Sequence, residues 1–276
     1  MIDSLVYNIP AAFVPAYRGR NLIVRSHDPS EIVAGLTDVD IDSISYVQIL
    51  SLDKEAETLM RWGHTIPVDL VVQDPGRDLP LLYEYAYLLA RRPVRVTVPV
   101  VRGFSKVVKL ATSLNFAVKL EGSQPDPALV EELSQVMHFY LHQETVSEPV
   151  EYFHSLFLAF YRGDPVTLWA VQEEDLSRNR YVTDEGEETV SNRFPAVHQH
   201  RDVSSFVRAF LDSVLAEQGE CCRCEFLDHC SGYFKWPRKD YKCDGVKGLL
   251  QTIKRAAGQL REDFVSYHSA SGGEAP

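Results

Sequence analysis

The sequence predicts an α/β protein built around a mainly parallel sheet. β-type runs alternate with helical stretches from residue 20 to about 162, with a repeat of about 25 residues. Alternation of this kind produces βαβ crossovers. Several of the strands are nearly continuous apolar runs, which is typical of sheets covered by helices or curled into a barrel. A partial (β/α)6 barrel and a doubly wound open sheet both fit this periodicity.

Six β-type runs supply the predicted strands. They are Leu22–Arg25, Ile44–Leu50, Val68–Val72, Val94–Val98, Phe116–Leu120 and roughly Val136–Leu141. The first helical stretch has Asp28 as its N-cap and Pro29 at its first helical position. The other helical stretches are 52–63, 78–92, 103–114, 126–135 and 148–163.

After Gly163 the alternation stops. Residues 167–191 indicate an antiparallel hairpin that turns near Asp184–Gly186, and 201–219 form an amphipathic helix. A closing helix follows Cys243. These patterns divide the chain into a strand–helix region (1–165), a hairpin with a connecting helix (166–216), a cysteine module with its closing helix (217–265) and a disordered tail (266–276).

Composition and charge exclude two classes of partner. The formal net charge is −11, which argues against nucleic-acid binding because phosphate contacts need clustered Lys and Arg. No apolar run reaches the roughly 18–20 residues that a membrane helix needs. The first twenty residues lack the basic segment followed by an apolar segment that is typical of a signal peptide. The sequence therefore predicts a soluble cytoplasmic protein.

All five cysteines lie within 221–243, as Cys221, Cys222, Cys224, Cys230 and Cys243, and none precedes them. A reducing cytosol and an odd count argue against disulfides. Four of the cysteines form the pattern C-x2-C-x5-C-x12-C, in which a close pair holds one side of a metal centre and later cysteines hold the other. Zinc and iron–sulfur clusters both accept four thiolates.

The spacing C-x2-C-x5-C with a distal cysteine resembles the C-terminal pattern of the SPASM domain, an auxiliary iron–sulfur module of peptide-modifying radical SAM enzymes. The resemblance covers roughly residues 217–245 and implies one [4Fe–4S] cluster on Cys221, Cys224, Cys230 and Cys243. The family's cysteine three positions after the third ligand is Phe234 here. A second auxiliary cluster is therefore not expected.

The resemblance also implies that the first region is a partial (β/α)6 barrel like that of radical SAM enzymes. Those enzymes hold their SAM-cleaving cluster on C-x3-C-x2-C in the loop after the first strand. The matching segment here, RSHDPSE from Arg25, contains no cysteine. The chain thus resembles a companion that works with a cysteine-complete radical SAM enzyme and its precursor peptide, without cleaving SAM itself.

Several alternatives remain open from sequence. The chain is alternatively a scaffold or binding protein whose four cysteines hold structural zinc. Cys222 is also an alternative to Cys221 as the first ligand. Cations at Lys235, Arg238, Lys239 and Lys242 either face the cluster or form a solvated loop. An enzyme of the barrel class would place its site at the carboxyl ends of the strands. Candidate polar residues there are His27, Asp28, Asp74, Glu121 and Glu144.

Two further groups are assigned no chemistry. The acidic run Glu173-Glu174-Asp175 is expected to be a solvated strand end or loop. His138 and His142 fall in the run expected to be a strand, so their side chains would lie far apart. His154, His198 and His200 add no recognisable metal motif.

Overall fold

The computed structural model describes residues 5–54, 56–122, 124–189 and 205–270. Its centre is one nine-stranded sheet with the order β7-β6-β5-β4-β3-β2-β1-β8-β9. The strands are β1 (Val6–Pro10), β2 (Asn21–Ser26), β3 (Ile44–Ile49), β4 (Val68–Val71), β5 (Val94–Pro99), β6 (Ala117–Glu121), β7 (Val150–Glu151), β8 (Asn179–Val182) and β9 (Glu188–Thr189).

The sheet winds in one direction along the chain. From β1 to β7 each strand pairs in parallel with the next one, and β8 then pairs in parallel with the free edge of β1. Only the β8–β9 hairpin is antiparallel among the described strands. The prediction of an α/β protein with a mostly parallel sheet is therefore confirmed.

Ten α-helices are present in the described parts of the chain. They are α1 (Pro29–Gly35), α2 (Glu57–Arg61), α3 (Pro75–Asp78), α4 (Phe104–Ser113), α5 (Pro127–His142), α6 (Phe153–Arg162), α7 (Leu168–Val171), α8 (Phe206–Leu215), α9 (Leu227–Cys230) and α10 (Asp244–Ala270). The longest 3-10 segment, Leu79–Ala90, occupies the helical stretch predicted at 78–92.

One predicted strand is wrong. Val136–Leu141 lies inside α5, which continues to His142 instead of ending near residue 135. Asp126 caps this helix by accepting a hydrogen bond from the Leu129 amide at 2.9 Å. Leu133, Val136 and Met137 are its buried residues. Their i, i+3 and i+4 spacing keeps one apolar face on the core, so helical burial outweighs the local β-type composition.

The other differences concern short elements. β1 precedes the strand predicted to be first, and β7 lies in a stretch predicted to be helical. α7 occupies part of the predicted hairpin, although the hairpin turn near Gly186 is present. α10 extends to Ala270, beyond the predicted start of the tail. His198, His200 and residues 271–276 lie outside the described residues.

Polar and apolar side chains alternate along the central strands. Val47, Leu70, Val96 and Val118 have no exposed surface, and they belong to the core that packs between the sheet and its helices. The neighbouring positions are polar and include Gln48, Asp69, Arg95 and Lys119. Because successive side chains point to opposite faces of a strand, these polar residues share the face away from the core.

Candidate metal centre and the polar cavity of the sheet

A compact irregular segment brings the cysteines together between α8 and α10. It consists of a 3-10 turn at Glu220–Arg223, the short helix α9 and a second 3-10 turn at Tyr233–Lys235. Ser231 and Gly232 both have positive φ, at 47° and 77°, and reverse the chain after Cys230. A pair of left-handed residues makes such a tight reversal possible.

The four predicted ligand cysteines line one cavity. Cys221, Cys224, Cys230 and Cys243 share its wall with the apolar side chains of Phe226, Leu227, Phe234, Val246 and Leu250. Burial raises the pKa of the Cys230 thiol to about 11 and that of the Cys243 thiol to about 12. Burial also raises the pKa of Cys221. Desolvation thus favours neutral thiols here unless a cation compensates the thiolates.

Cys222 is placed differently from its four neighbours. Its side chain is exposed, and its thiol donates a hydrogen bond to the carbonyl of Leu215 at 3.3 Å. It is absent from the described residues that line the cysteine cavity. Cys221 is buried and faces that cavity. The position of Cys221 is the one suited to a ligand.

Two lysines complete the cysteine cavity. Lys235 is only 6% exposed, and its ammonium group lies 2.7 Å from the Glu220 carboxylate and 2.5 Å from the Tyr241 carbonyl. Lys247 pairs with the other oxygen of Glu220 and also lines the cavity. Burial raises the pKa of Glu220, but hydrogen bonds from the two lysines lower it overall to about 2. Two cations therefore share one carboxylate beside four thiols.

Sequence reasoning missed Lys247. Its amide donates to the carbonyl of Cys243 at 2.8 Å, so the two residues stand one turn apart at the start of α10. The i, i+4 spacing of Cys243 and Lys247 is the feature of the sequence that could have identified Lys247 as a neighbour of the last cysteine. Of the four cations considered in the sequence, Lys235 faces the cavity, whereas Lys239 pairs with Glu217 and Arg238 bonds Gln124.

Aromatic residues divide between the cavity wall and the contacts of the segment with the rest of the chain. Phe226 and Phe234 are walls of the cavity. Tyr233 packs edge-on against Trp169, and Trp236 against Phe210. The Tyr241 hydroxyl donates to the carbonyl of Pro125 at 2.7 Å. The cysteine segment is thus fixed to the loop that follows β6.

The histidines form no comparable site. Because Val136–Leu141 is helical, the His138 and His142 rings lie 4.4 Å apart, contrary to the expected separation along a strand. His154 contacts the Tyr140 hydroxyl at 2.7 Å. Among the described residues, no group of three or more His, Cys, Asp or Glu side chains, the four cysteines included, is arranged to hold a single metal ion.

A second cavity, of about 90 Å³, lies on the polar face of the sheet. Its lining comes from β1 to β6, from β8 and from residues 172–174. A continuous network runs beneath it: Asn8 donates to Gln48 at 2.7 Å, and Gln48 donates to Asp69 at 2.9 Å. Arg95 donates to Asp69 at 2.8 Å. Side chains from β1, β3, β4 and β5 are linked in this way.

Glu173 closes the network from outside the strands, so the expectation that the acidic run is solvated is wrong at this residue. It accepts hydrogen bonds from Lys119 at 2.7 Å, from Tyr46 at 2.8 Å and from Arg95 at 3.1 Å. Burial raises the pKa of Glu173, but the charges of Lys119 and Arg95 outweigh burial and hold the pKa well below its usual value. Glu174 is also buried.

The other candidate polar residues have mainly structural positions. Asp28 and Asp74 accept backbone hydrogen bonds as the N-caps of α1 and α3. His27 contacts the Ser51 hydroxyl at 3.0 Å, and Glu144 is exposed. Only Glu121 of this group lines the sheet cavity in the described part of the chain. The positions do not converge on one site.

Comparisons with known proteins identify no relative: no family model, no curated protein and no solved structure matches this chain. Across the described residues, the helices include none with the length and apolarity required to cross a bilayer.

Proposed function

We propose that this chain is an iron–sulfur-binding companion in a radical SAM peptide-maturation system. Cys221, Cys224, Cys230 and Cys243 would hold one [4Fe–4S] cluster. The observation that carries the proposal is that these four thiols line one shielded cavity while Cys222 lies outside it. When bound, such a cluster supplies one-electron transfer or a structural crosslink.

The donor set and its charge fit this group. Four thiolates around a cluster carry net negative charge, and the wall supplies Lys235 and Lys247 with a single carboxylate, Glu220, between them. The excess cation stabilises the thiolates, which burial alone disfavours. Phe234, at the position of the family's additional cysteine, fills the wall with an apolar ring.

The sheet supports the partial-barrel part of the proposal. Strands β1 to β7 lie in chain order and β8 lies beside β1, an order that is also found in β/α barrels. Polar side chains of these strands line one cavity. The first 220 residues contain no cysteine, so we expect no SAM-cleaving cluster in this region. The companion would instead bind the precursor peptide or the partner enzyme, or pass electrons to that enzyme.

Anaerobic purification tests the cluster. We expect a brown protein with about four iron and four sulfide per chain, as a single [4Fe–4S] cluster requires. Serine variants of Cys221, Cys224, Cys230 and Cys243 should lose most of the iron, and Cys222→Ser is the matched control that should keep it. A colourless protein with one zinc would support the zinc-stabilised scaffold instead.

The companion role has a separate test. We expect maturation of a precursor peptide by a cysteine-complete radical SAM enzyme encoded beside this chain to require both proteins. The measurement is the mass of the peptide after incubation with SAM and reductant, with and without this chain. Formation of 5′-deoxyadenosine by this chain alone would contradict the proposal.

A further inference from the structure

Glu121 is a carboxylate at the wall of the sheet cavity. It is the last residue of β6 and lines the cavity of about 90 Å³. Its side chain is partly exposed and forms no hydrogen bond or ion pair with any residue that the structure describes. Taking a carboxylate partly out of water costs free energy, which an opposite charge beside it offsets. Glu121 is therefore available to a group that enters the cavity.

The backbone at Glu121 is held in place. Its carbonyl accepts a hydrogen bond from the Val100 amide at 2.8 Å. Gly122 follows, and a Cβ atom at that position would lie 3.0 Å from the Val100 Cβ. Glycine allows this close approach without displacing Val100. The Glu121 side chain therefore leaves the sheet from a fixed point.

Most of the other charged groups at the wall already have partners. The wall carries three cations and three carboxylates: Arg25, Lys119, Arg180, Glu121, Glu173 and Glu174. Arg25 pairs with Asp184 at 3.2 Å, and Lys119 pairs with Glu173 at 2.7 Å. Glu174 is 5% exposed and has an interaction of its own. These groups do not require a charge from a ligand.

Arg180 differs from Glu121 in the face of the sheet from which its side chain starts. Its register partner on β1 is Tyr7, which is only 6% exposed and belongs to the core. Because side chains alternate along a strand, the Arg180 side chain starts from the core face. Its guanidinium group donates to the carbonyl of Asn179 at 3.2 Å. Glu121 is thus the wall charge that has no hydrogen-bond partner among the described residues.

Residues of β8 share the cavity with Glu121, although β6 and β8 are six strand spacings apart in the sheet. In a flat sheet that separation would be about 29 Å, at about 4.8 Å per spacing. Burial raises the pKa of Tyr181, and the negative charge of Glu121 contributes to the rise. The sheet therefore curves enough to bring β8 near Glu121. Asn179, on the same face as Tyr181, has no side-chain hydrogen bond in the described part of the chain.

These two side chains specify the chemistry of a ligand. A carboxylate accepts hydrogen bonds and donates none, and the side-chain oxygen of Asn179 is an acceptor as well. A primary ammonium group has one positive charge and three N–H donors, which match the Glu121 carboxylate and the Asn179 oxygen. A carboxylate ligand would instead meet the like charge of Glu121.

The size of the cavity limits what the ammonium group carries. Its volume is that of about three water molecules, at about 30 Å³ each, which holds an ammonium group with one or two carbons. Ile23, Leu50 and Val71 offer apolar contacts for those carbons. A larger ligand would place only its amino end in the cavity.

We propose that the sheet cavity binds a primary ammonium group through the Glu121 carboxylate, carried either by a free small amine or by a lysine side chain of a peptide. The inference goes beyond the proposed companion role and does not depend on the cysteine cluster. A chain without iron would still bind the amine, and a chain that binds no amine would still hold the cluster.

Nuclear magnetic resonance of the full chain, labelled with ¹³C at the side-chain carboxyl carbon of glutamate, tests the proposal. The Glu121 signal is identified by its absence in Glu121→Gln, and Glu144→Gln, at an exposed position, is the matched control. Ethylammonium chloride should shift the Glu121 signal saturably at constant ionic strength. Tetramethylammonium chloride, which has no N–H donor, and sodium propionate should not.

A peptide separates the two sources of the ammonium group. Ala-Lys-Ala with an acetylated amino end and an amidated carboxyl end has the lysine ammonium as its only charge. Tighter binding than that of ethylammonium would assign the cavity to a peptide side chain. Equal or weaker binding would assign it to a free amine.

Variants give a second, independent result. Glu121→Gln and Glu121→Ala should lose at least about tenfold in affinity for ethylammonium, because a charged hydrogen bond is removed. Both should melt close to the temperature of the wild type, since Glu121 has no hydrogen-bond partner to lose among the described residues. Glu144→Gln should bind ethylammonium as the wild type does.

The selectivity of the wild type decides the matter even if a variant folds poorly. No saturable shift with ethylammonium or the peptide, or an equal response to tetramethylammonium or propionate, would overturn the proposal. Unchanged affinity in the folded Glu121 variants would overturn it as well.

Discussion

The cysteine cavity and the sheet cavity differ in how their cations and carboxylates balance. In the sheet, Arg95 and Lys119 face Asp69 and Glu173, so two cations meet two carboxylates within hydrogen-bond distance. In the cysteine cavity, Lys235 and Lys247 share only Glu220. The sheet network is balanced by its own side chains, whereas the cysteine wall has an excess cation and four protonatable thiols.

This difference separates a self-sufficient network from one suited to an added group. Buried charges are stable only when they are paired. Removing one partner leaves the remaining charge buried, with no interaction to offset its lost hydration. The sheet should therefore fold and persist without any cofactor. The cysteine segment, which is built from short helical turns around its thiols, should depend on what those thiols hold.

The largest expected effect comes from removing the iron of the proposed cluster. If the cysteine segment depends on a cluster, chelation should raise amide hydrogen exchange across 220–243 by at least about tenfold, because metal binding energy is also folding energy. Strands β5 and β6 should keep their protection and serve as the internal reference. Equal loss of protection in both regions would remove the distinction drawn above.

The next effect concerns the sheet network. Glu173→Gln should lower the free energy of unfolding by about 2 kcal/mol, because it leaves the buried Lys119 and the partly exposed Arg95 without their shared carboxylate. Urea denaturation measures this loss. Glu187→Gln, at an exposed site in the β8–β9 turn, should change stability by less than about 0.5 kcal/mol. If both variants unfold alike, the network does not stabilise the sheet.

A smaller effect is expected near Lys235 if the cysteine cavity holds the proposed [4Fe–4S] cluster. Lys235→Met removes a nearly buried positive charge. Without that charge the more negative, reduced cluster is less stable relative to the oxidised one. The reduction potential should fall by about 60 mV, which corresponds to a tenfold change in a one-electron equilibrium. Lys242→Met, whose side chain is exposed, is the control and should leave the potential within error. Spectroelectrochemical titration gives both values.

The smallest effect is a pH dependence. The folded pKa of Glu173 lies below its ordinary value of 4.5, so its carboxylate stabilises the protein above that pH and the contribution is lost as pH falls. The stability gap between wild type and Glu173→Gln should therefore narrow below pH 4.5, by at most about 1.4 kcal/mol per pH unit. Urea curves at several pH values measure it. A gap that stays constant down to pH 3 would contradict the ion pairing.

Sequence periodicity predicted most of the sheet but not its shortest parts. Five strands rich in β-branched residues were found near their observed bounds, from β2 to β6. β7 has only two residues, and its pairing with β6 has no local pattern. The strand predicted at Val136–Leu141 is wrong because its β-type residues also match the apolar face of a helix. Burial in the folded protein decides between strand and helix there.

The chain by itself fixed which atoms are available: four suitably spaced thiols, no earlier cysteine, and polar residues within otherwise apolar strands. Tertiary structure decided which of them meet. Glu173 reaches Tyr46, Arg95 and Lys119 across 127, 78 and 54 positions, and the local sequence around it reads only as an acidic run. Local patterns report propensity and periodicity over a few turns, whereas charge pairing over such separations exists only once the strands of the sheet have assembled.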